Sequence, residues 1–547
     1  MNRLSIFLGC VAVALAGPAL AARSTPMTVY FDGKVYTVDD SLGVQSAFAV
    51  KGERIVAVGS DAQVLAKAGR GAKRVDLRGA AVIPGLSDSH DHFWNTTRFL
   101  VRGVDMIGVG SRAEFDARLR AAVAKASPGE IVYTTVGWAV TPAPTRADLD
   151  KISADTPILL IADRRGRSVA NSAALRKLGV DKAHPTFHGA PVPVDAQGEP
   201  TGEPPGYPIS VAWVEALIPP LTDAQKLKLL EAAQQERNAL GITAVRDLAV
   251  WPDVVRDLQV LRRQGKLTLR IALGVEIPDQ AHTAAWVAEQ PPLKRDDPWL
   301  FVDSLSEEPW APGSDSVEDY TVLARTLNRQ GWRPAPHVSS DPHRGITADI
   351  AAEDALQAYE AANRDSPLTG KRWYMEHVPF ATPEQMDRMA ALGVVISVQD
   401  AGYDLPAVAP MPPDRMAHET PVRGLIDHHL TVIGGSDYNG PNPVERAPNN
   451  PLIDFYFYVT RRTRDGRVMT PDEKVSRAEA LKILTANAAY ATFQEKVRGR
   501  IAPGLLADFV ILDQNLMTVP DDQILTTHPL ATFVGGRKVY SASGSSF

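Results

Sequence analysis

The sequence predicts an α/β fold in which strands and helices alternate through the middle of the chain, while both ends supply a small β-domain. From residue 111 to residue 493, short apolar runs alternate with segments of helical periodicity, a pattern typical of a parallel sheet or barrel. Near both ends, short β-type runs are separated by turn residues such as Asp32-Gly33 and Gly535-Gly536. Because chain termini often lie close together, we expect the two ends to pair into one domain.

Length and composition limit the classes of protein to consider. A chain of 547 residues exceeds the size at which single cores stop growing, so two or three structural units are expected. The 44% hydrophobic and 22% charged residues are ordinary for a soluble globular protein. A net charge of -6 without a basic run argues against a nucleic-acid partner and leaves a small-molecule substrate as the expectation. The sequence does not indicate an oligomeric state.

Residues 1–22 have the pattern of a secretory signal peptide. Arg3 gives a basic start, residues 6–16 are mostly apolar, and Ala19-Leu20-Ala21 is the small-x-small pattern that signal peptidase cleaves. The apolar run is too short to span a membrane, and no later segment reaches the ~18 apolar residues that a spanning helix needs. The single cysteine, Cys10, lies in this segment, so the mature chain would have neither disulfides nor thiolate ligands. We expect an exported, periplasmic protein with no integral membrane segment.

The individual elements follow from local patterns. Near the ends, strands are predicted at 28–31, 33–37, 47–50, 54–58, 507–512, 531–534 and 538–540. In the middle, strands are predicted at 131–136, 157–161, 267–275, 299–302, 332–337, 372–378, 394–399 and 431–437, and helices at 111–127, 222–240, 317–329, 352–362, 382–392, 420–428 and 476–493. Capping boxes open four helices, at Ser111 with Glu114, Thr222 with Gln225, Thr382 with Gln385, and Ser476 with Glu479.

Two histidines separated by one residue, His90 and His92, follow the apolar run of residues 81–86. Side chains of a strand alternate between its faces, so both imidazoles would point the same way, about 7 Å apart along the strand. Two such imidazoles can share a metal ion. Taken alone, the pair could also be two polar residues where a strand meets a loop.

Three further candidate ligands, His337, His377 and Asp437, lie at the carboxyl ends of later predicted strands. In a TIM-type barrel these ends meet at one mouth, where active sites lie. Each residue has a structural alternative, since either histidine could be a hydrogen-bonded core residue and Asp437 could cap the following segment. The five together indicate a divalent metal site, most simply Zn²⁺.

The sequence resembles the amidohydrolase superfamily, in particular the amidohydrolase family 3 branch that includes N-substituted formamide deformylase. The resemblance rests on residues 82–92 with the His-x-His pair, on 136–138, 170–175, 198–202, 376–377, 397–399, 435–437 and 485–489, and on the closing element 499–504 with Ala507-Asp508. It implies a metal-dependent (β/α)8 TIM-type barrel with a small composite β-sandwich domain and an inserted α/β segment. The implied boundaries are 23–82 with 500–547 for the β-domain, 83–499 for the barrel and about 107–220 for the insertion. His90, His92, His337, His377 and Asp437 match the family's metal ligands.

One departure concerns the lysine that usually bridges two metals in this branch. The corresponding segment, residues 299–305, has no lysine, and none occurs between Lys294, in a predicted loop, and Lys371. Asp303, Glu307 or Glu308 could supply a carboxylate there instead. The simpler interpretation is one ion rather than two.

The predicted reaction is hydrolysis of a C–N bond in an amide, N-acyl compound or cyclic amide by a metal-activated water. Asp437 is the expected general base, and His337 or His377 would stabilise the oxyanion in a one-ion site.

Two other functions remain open, a catalytically inactive metal-binding or sensing protein and a lyase or isomerase using the same site. Candidate pocket residues are Trp94, Trp138, Asn171, Tyr374 and Gln399, although aromatic residues at such places are more often wall or core than substrate contacts. The arginines 164, 165 and 167 could bind a substrate carboxylate or form a solvated face.

Overall fold

The computed structural model describes residues 26–41, 43–94, 103–106, 108–134, 138, 140–161, 167–205, 212–214, 216–277, 282–307, 316–339, 348–399, 403, 420–438 and 449–547. The predicted signal peptide, with Cys10, lies outside these residues. Among the residues described, no helix is both long and apolar enough to cross a bilayer.

The described residues contain the following strands and helices, each type given in chain order. The strands are β1 Met27–Phe31, β2 Lys34–Tyr36, β3 Val44–Gln45, β4 Ala47–Lys51, β5 Arg54–Gly59, β6 Lys73–Asp76, β7 Ala81–Pro84, β8 Leu86–Asp91, β9 Val132–Tyr133, β10 Ile158–Leu160, β11 Val169–Ala170, β12 Thr186–Phe187, β13 Ala190–Pro191, β14 Ile242–Val250, β15 Arg270–Val275, β16 Leu300–Leu305, β17 His337–Val338, β18 Tyr374–His377, β19 Val395–Gln399, β20 Thr431–Gly435, β21 Phe509–Leu512, β22 Pro529–Val534 and β23 Arg537–Ser541. The α-helices are α1 Asp61–Ala68, α2 Arg112–Val123, α3 Arg146–Ile152, α4 Ser172–Leu178, α5 Asp223–Ala239, α6 Pro252–Arg263, α7 Thr283–Ala288, α8 Val317–Gln330, α9 Ala348–Asp365, α10 Pro383–Leu392, α11 Val422–Asp427, α12 Pro451–Thr460, α13 Arg477–Lys482 and α14 Ala488–Ala491. Short 3₁₀ turns cover Pro471–Glu473 and Asp521–Thr526, and a π-helical turn covers Ile483–Asn487.

Eight parallel strands surround the centre of the molecule. They form two four-stranded sheets, with the orders β16-β15-β14-β8 and β17-β18-β19-β20. At one junction the Leu305 amide donates to the Arg333 carbonyl at 2.9 Å, and at the other the Asp437 amide donates to the His90 carbonyl at 2.7 Å. The strands thus follow one another in a ring, an α/β arrangement of the TIM-barrel type. The predicted α/β class is confirmed.

Strand β14 of this ring and the helices α6 and α7 are missing from the sequence prediction. The apolar run that begins at Ile242 is interrupted by Arg246 and Asp247, and charged residues usually mark a surface or loop. Both side chains are nevertheless at most 2% exposed, because they lie inside the ring. Buried ionic groups therefore concealed a barrel strand.

Prolines shorten another predicted strand, residues 332–337. Only His337–Val338 has regular strand pairing, because Pro334 and Pro336 have no amide hydrogen to donate. Their carbonyls still accept hydrogen bonds from Tyr374 at 3.4 Å and Glu376 at 3.1 Å. At these two prolines, the backbone therefore contributes hydrogen-bond acceptors but no donors to the ring of strands.

Helix ends agree with the predicted capping boxes in three of four cases. The boxes of α5, α10 and α13 are complete. At α2, Ser111 accepts from the Glu114 amide, but the Glu114 carboxylate pairs with Arg118 instead of returning to the cap. The predicted helix 476–493 is divided into α13, the π turn and α14, and in the π turn Asn487 donates to the Val432 carbonyl of β20 at 2.9 Å.

Strands from both chain ends share one sheet, and an apolar layer joins it to a second sheet built from amino-terminal strands. The six-stranded sheet has the order β23-β22-β21-β7-β2-β3, and the four-stranded sheet has the order β5-β4-β1-β6. Aromatic rings join the two ends of the sequence, with Tyr30 stacked on Phe48 at 4.8 Å, Phe509 stacked on Phe533 at 4.4 Å, and Phe48 against Phe509 at 4.9 Å. Strands from the two ends of the sequence are therefore neighbours, with β21 antiparallel to β7.

Between β8 and β14 the chain forms a separate small layer. A three-stranded sheet with the order β11-β10-β9 lies with α2, α3 and α4, and a hairpin of β12 and β13 follows. Trp138, Phe115 and Leu119 are buried in one of its two apolar clusters, and Trp213 and Leu175 in the other.

A buried ion pair ties the barrel to the six-stranded sheet. The Arg270 guanidinium of β15 donates to Asp508 through Nε at 2.6 Å and Nη2 at 2.8 Å, and both side chains are at most 3% exposed. Replacing Arg270 by methionine should lower the free energy of unfolding by about 3–5 kcal/mol, because it leaves a buried carboxylate without its counter-charge. Denaturant unfolding measures this loss. The half-exposed pair of Arg262 with Asp297 is the control, and an R262M variant as unstable as R270M would contradict the prediction.

Candidate metal centre

Five side chains from the ends of four strands converge at the carboxyl-end mouth of the ring. His90 and His92 lie at the end of β8 and just beyond it, with ring centroids 5.5 Å apart. His337 begins β17 and His377 ends β18, and their ring centroids are 4.2 Å apart. Asp437 follows β20 by two residues. The structure therefore brings together all five residues that the sequence predicts as ligands.

A sixth side chain, Glu307, lies between the two histidine pairs. It follows β16 by two residues and is 6% exposed. Its Oε1 is 2.6 Å from His90 Nε2 and 3.5 Å from His92 Nε2, and its Oε2 is 2.7 Å from His337 Nδ1 and 3.4 Å from His377 Nε2. Of the three carboxylates considered for the missing lysine, Glu307 is the one at the centre. Asp303 instead binds Arg295, Arg333 and Tyr374, and Glu308 lies outside the described residues.

Asp437 completes the first of two ligand groups. Its Oδ1 is 3.1 Å from His92 Nε2 and 3.5 Å from His90 Nε2. One atom each from His90, His92, Glu307 and Asp437 lies within 4.8 Å of the others, and the same holds for Glu307 with the second histidine pair. The two groups therefore share Glu307.

The candidate ligand atoms are arranged for binding a cation rather than for hydrogen bonding to one another. His90 Nε2, Glu307 Oε1 and His377 Nε2 are buried and make no hydrogen bond of acceptable geometry, although the first two are only 2.6 Å apart. Buried polar atoms normally have a hydrogen-bond partner, and lone pairs that converge without one are what a bound cation requires. Imidazole nitrogens and carboxylate oxygens are also the ligands that Zn²⁺ accepts.

Charge in this cluster shifts the pKa values of its members. Burial lowers the pKa of His90, but Glu307 and Asp437 outweigh this effect and raise it well above the ordinary value. Burial also lowers the pKa of His92, yet its hydrogen bond to Asp437 and the Glu307 charge raise it to about 9. Burial raises the pKa of Asp437, but the neighbouring histidines lower it to about 2. In the absence of a cation, Asp437 and Glu307 are thus ionised and attract positive charge.

Two of the candidate ligands have a strained backbone conformation. His377 has a φ of 68° and Asp437 a φ of 49°, a region that non-glycine residues rarely adopt. Val378, next to His377, has a φ of 44°. Such conformations cost of order 1–3 kcal/mol each and are retained where the surrounding structure fixes a functional geometry.

Two further carboxylates hold the strand of the His-x-His pair in place. Asp91, between the histidines, forms a two-point pair with Arg237 of α5 at 2.9 and 3.0 Å. Asp88 accepts from the Ser436 amide at 3.0 Å and from its hydroxyl at 2.6 Å. The strand carrying His90 is therefore linked both to an outer helix and to the residue before Asp437. Sequence reasoning assigned no role to these partners, because a pattern of residue types does not show which strands are neighbours.

The candidate pocket residues prove mainly structural. The Trp138 indole donates to the Ile161 carbonyl at 3.0 Å, Asn171 caps α4, and the Tyr374 hydroxyl donates to Asp303 at 2.9 Å. Trp94 is 4% exposed. Of these five residues, Gln399 at the end of β19 contacts a candidate ligand, since its Nε2 lies 3.2 Å from His90 Nδ1.

The arginine trio contributes one described member, Arg167, because residues 164 and 165 lie outside the described ranges. Its Nη2 donates to the Pro144 carbonyl at 2.7 Å, and its Nη1 lies 3.3 Å from Glu203. The Arg167 guanidinium therefore binds groups of the inserted layer itself.

Gly435 allows β8 and β20 to approach closely enough for the cluster to form. A Cβ atom at this position would lie 2.3 Å from the His90 nitrogen. A Gly435→Ala variant should lose about 1–3 kcal/mol of unfolding free energy, because the strands must separate. Thermal and denaturant unfolding test this, with Gly71→Ala as the control, since a Cβ there has no atom within 4 Å. Equal stability of the two variants would contradict the expectation.

Comparison with known proteins decides the family. A sequence profile described as amidohydrolase family matches residues 73–540. The chain belongs to the amidohydrolase family. N-substituted formamide deformylase of Arthrobacter pascens is 25% identical, with 94% of this chain and 98% of the relative covered. Protein LONG AFTER FAR-RED 3 of Arabidopsis thaliana is 26% identical, with 93% of this chain and 91% of the relative covered.

A solved structure shares the fold of this chain. An uncharacterized metal-dependent hydrolase from Pyrococcus furiosus superposes with a TM-score of 0.68 at 22% identity, covering 90% of this chain and 100% of the other. The family resemblance predicted from the motifs is confirmed, and the chain is an enzyme of this amidohydrolase family.

Proposed function

We propose that this amidohydrolase hydrolyses a C–N bond of an amide, N-acyl compound or cyclic amide at the cluster around Glu307. The observation that carries the proposal is the convergence of four histidines and two carboxylates at the mouth of the parallel strands. Active sites of barrel enzymes lie at this end. The name of the Arthrobacter relative suggests N-substituted formamides as the first substrates to try.

The residues that would hold a metal form the two groups described above. His90, His92, Glu307 and Asp437 form one, and Glu307 with His337 and His377 forms the other. We propose Zn²⁺, because the donors are imidazoles and carboxylates. A bound divalent cation would act as a Lewis acid and lower the pKa of a water molecule toward neutrality.

Two observations give different indications of how many metal ions the site holds. The missing lysine favours one ion, and that prediction is untested. Glu307, however, presents one oxygen to each histidine pair, which favours a second position. Metal analysis of the purified protein distinguishes one from two zinc ions per chain.

Asp437 is the proposed general base. Its side chain is 29% exposed and ionised, so it can accept a proton from water and deliver it to the leaving nitrogen. The His337 side chain is half exposed and that of His377 is 11% exposed, so in a one-ion site His337 is better placed to contact a substrate oxygen. In a two-ion site both histidines are ligands instead.

The decisive experiment combines metal analysis with a panel of N-substituted formamides, N-acyl amines, cyclic amides and esters. Zinc in the purified protein and amine release that stops on chelation and returns with zinc would support the proposal. Zinc without release of amine, acid or alcohol would favour a metal-binding or sensing protein. Conversion without uptake of water would favour a lyase or isomerase.

We also propose a domain division and a location for this enzyme. Residues 23–82 and 500–547 would form the β-domain, 83–499 the barrel, and about 107–220 the insertion. The hydrophobic pattern of residues 1–22 supports export to a periplasm. Sequencing the amino terminus of the mature protein tests the export, and a chain that begins at Met1 would contradict it.

A further inference from the structure

Arg246 is a charged side chain buried inside the barrel, directly behind the candidate metal centre. It lies on β14 and is 2% exposed, and its partner Glu376 on β18 is completely buried. Barrel interiors are usually filled by branched apolar side chains. A buried charge pair is costly to desolvate and is weak evidence for stability alone, so its presence here calls for a specific reason.

The pair connects directly to the first histidine of the His-x-His motif. Arg246 Nη2 donates to Glu376 Oε1, and the other oxygen of that carboxylate, Oε2, lies 2.8 Å from His90 Nδ1. Nδ1 is the imidazole nitrogen that faces away from the cluster, because His90 Nε2 is the atom 2.6 Å from Glu307. A carboxylate on the far nitrogen of a ligating histidine fixes the ring orientation and the tautomer.

Arg246 also holds the backbone that carries this histidine. Its Nε donates to the carbonyl of Ser89, the residue before His90, at 2.9 Å. Its guanidinium carbon lies 3.9 Å from the centroid of the Tyr374 ring, and this contact restricts the orientation of the guanidinium plane. One side chain therefore fixes both the main chain next to His90 and the carboxylate behind its ring.

We propose that Arg246 is a positioning residue for the metal centre, acting through Glu376 and Ser89 to hold His90 Nε2 toward Glu307. Without Arg246, the Glu376 carboxylate is left in a buried site without its counter-charge and no longer has a fixed orientation. The His90 ring then loses a fixed partner at Nδ1 and a fixed backbone at Ser89. This inference rests on the proposed metal site and extends it beyond the ligands.

A purely structural role for Arg246 is the competing interpretation, and Arg270 separates the two. Arg270 is likewise an arginine buried in the next strand, β15, with a two-point carboxylate partner, Asp508. That carboxylate belongs to the segment before β21 and accepts from the Gly535 amide at 2.7 Å, not from a candidate ligand. Both pairs should matter for folding, whereas only the Arg246 pair should matter for metal affinity.

The experiment measures zinc affinity of the whole protein by competition with a chelator of known affinity, and the unfolding of the zinc-free forms. R246M should weaken zinc binding by about 10–100-fold, the range for partners behind a metal ligand. R246K should show a smaller loss, because lysine keeps the charge but cannot reach both Glu376 and Ser89. R270M should unfold more easily than the natural protein but bind zinc within about twofold of it, a margin below the range for such partners.

Two results would overturn the inference. One is a folded R246M protein that binds zinc as tightly as the natural one, and the other is an equal loss of affinity in R270M. If R246M does not fold, R246K and Glu376→Gln decide in its place, and unchanged zinc affinity in both would likewise overturn the inference. Natural protein that binds no zinc would refute the proposed function itself, which is a distinguishable outcome.

Discussion

Replacing Asp437 by asparagine should lower kcat by about 10²–10⁴-fold while most of the metal stays bound. An amide cannot take a proton from water at neutral pH, but its oxygen can still occupy the position 3.1 Å from His92 Nε2. Turnover of the best substrate from the panel, measured together with zinc content, tests both parts of the prediction.

The matched control for this variant is Asp253→Asn. Asp253 lies on α6, is 45% exposed and pairs with Lys226 at 2.8 Å, away from the cluster. D253N should retain its turnover. Undiminished turnover in D437N would remove Asp437 from the role of general base, and an equal loss in D253N would show that the effect is not specific to the site.

Replacing Glu307 by glutamine should remove more metal than any other single substitution in the cluster. Both ligand groups use this carboxylate, and its oxygens lie 2.6 Å from His90 Nε2 and 2.7 Å from His337 Nδ1. The loss of zinc affinity should exceed the ~10–100-fold typical of groups behind a ligand, because both ligand groups lose their shared carboxylate, whereas Asp437 belongs to one group only. Zinc per chain after dialysis against a graded chelator series measures this loss.

The control for Glu307 is Glu353→Gln. Glu353 lies on α9 and pairs with Arg388 of α10 at 2.7 Å on the outside of the barrel. E353Q should keep the full zinc content. An E307Q protein that retains it as well would show that Glu307 is not a ligand and would leave the single-ion arrangement of the other residues as the better description.

Sequence patterns predicted which candidate ligands lie together better than they predicted the residues that support them. His90, His92, His337, His377 and Asp437 follow apolar strands, so the rule that strand ends meet at one mouth was enough to bring them together. Glu307 was one of three carboxylates in the right segment, and only the three-dimensional arrangement separates it from Asp303. The alternation of side chains cannot make that choice, because both residues lie in or just beyond the same strand.

The supporting residues were not predictable for a physical reason. Arg246, Glu376 and Asp88 are charged residues in barrel strands, and a charged residue in an apolar run is normally evidence for a surface. Their burial is explained by partners from other segments of the chain, such as Ser436, just after β20, for Asp88. Those partners are distant in sequence, so composition and periodicity do not reveal them.

The six-stranded sheet has a consequence for the order in which this polypeptide can fold. Strand β7 ends at Pro84 and pairs there with Phe509, so more than four hundred residues must leave the ribosome before β7 gains its neighbour on that side. Until then, the early strands present an open edge that could pair with another nascent chain. Contacts of such large sequence separation form slowly. Completion of this sheet is therefore a late event in biogenesis. A chain that stops before residue 509 would retain an unpaired, aggregation-prone strand edge.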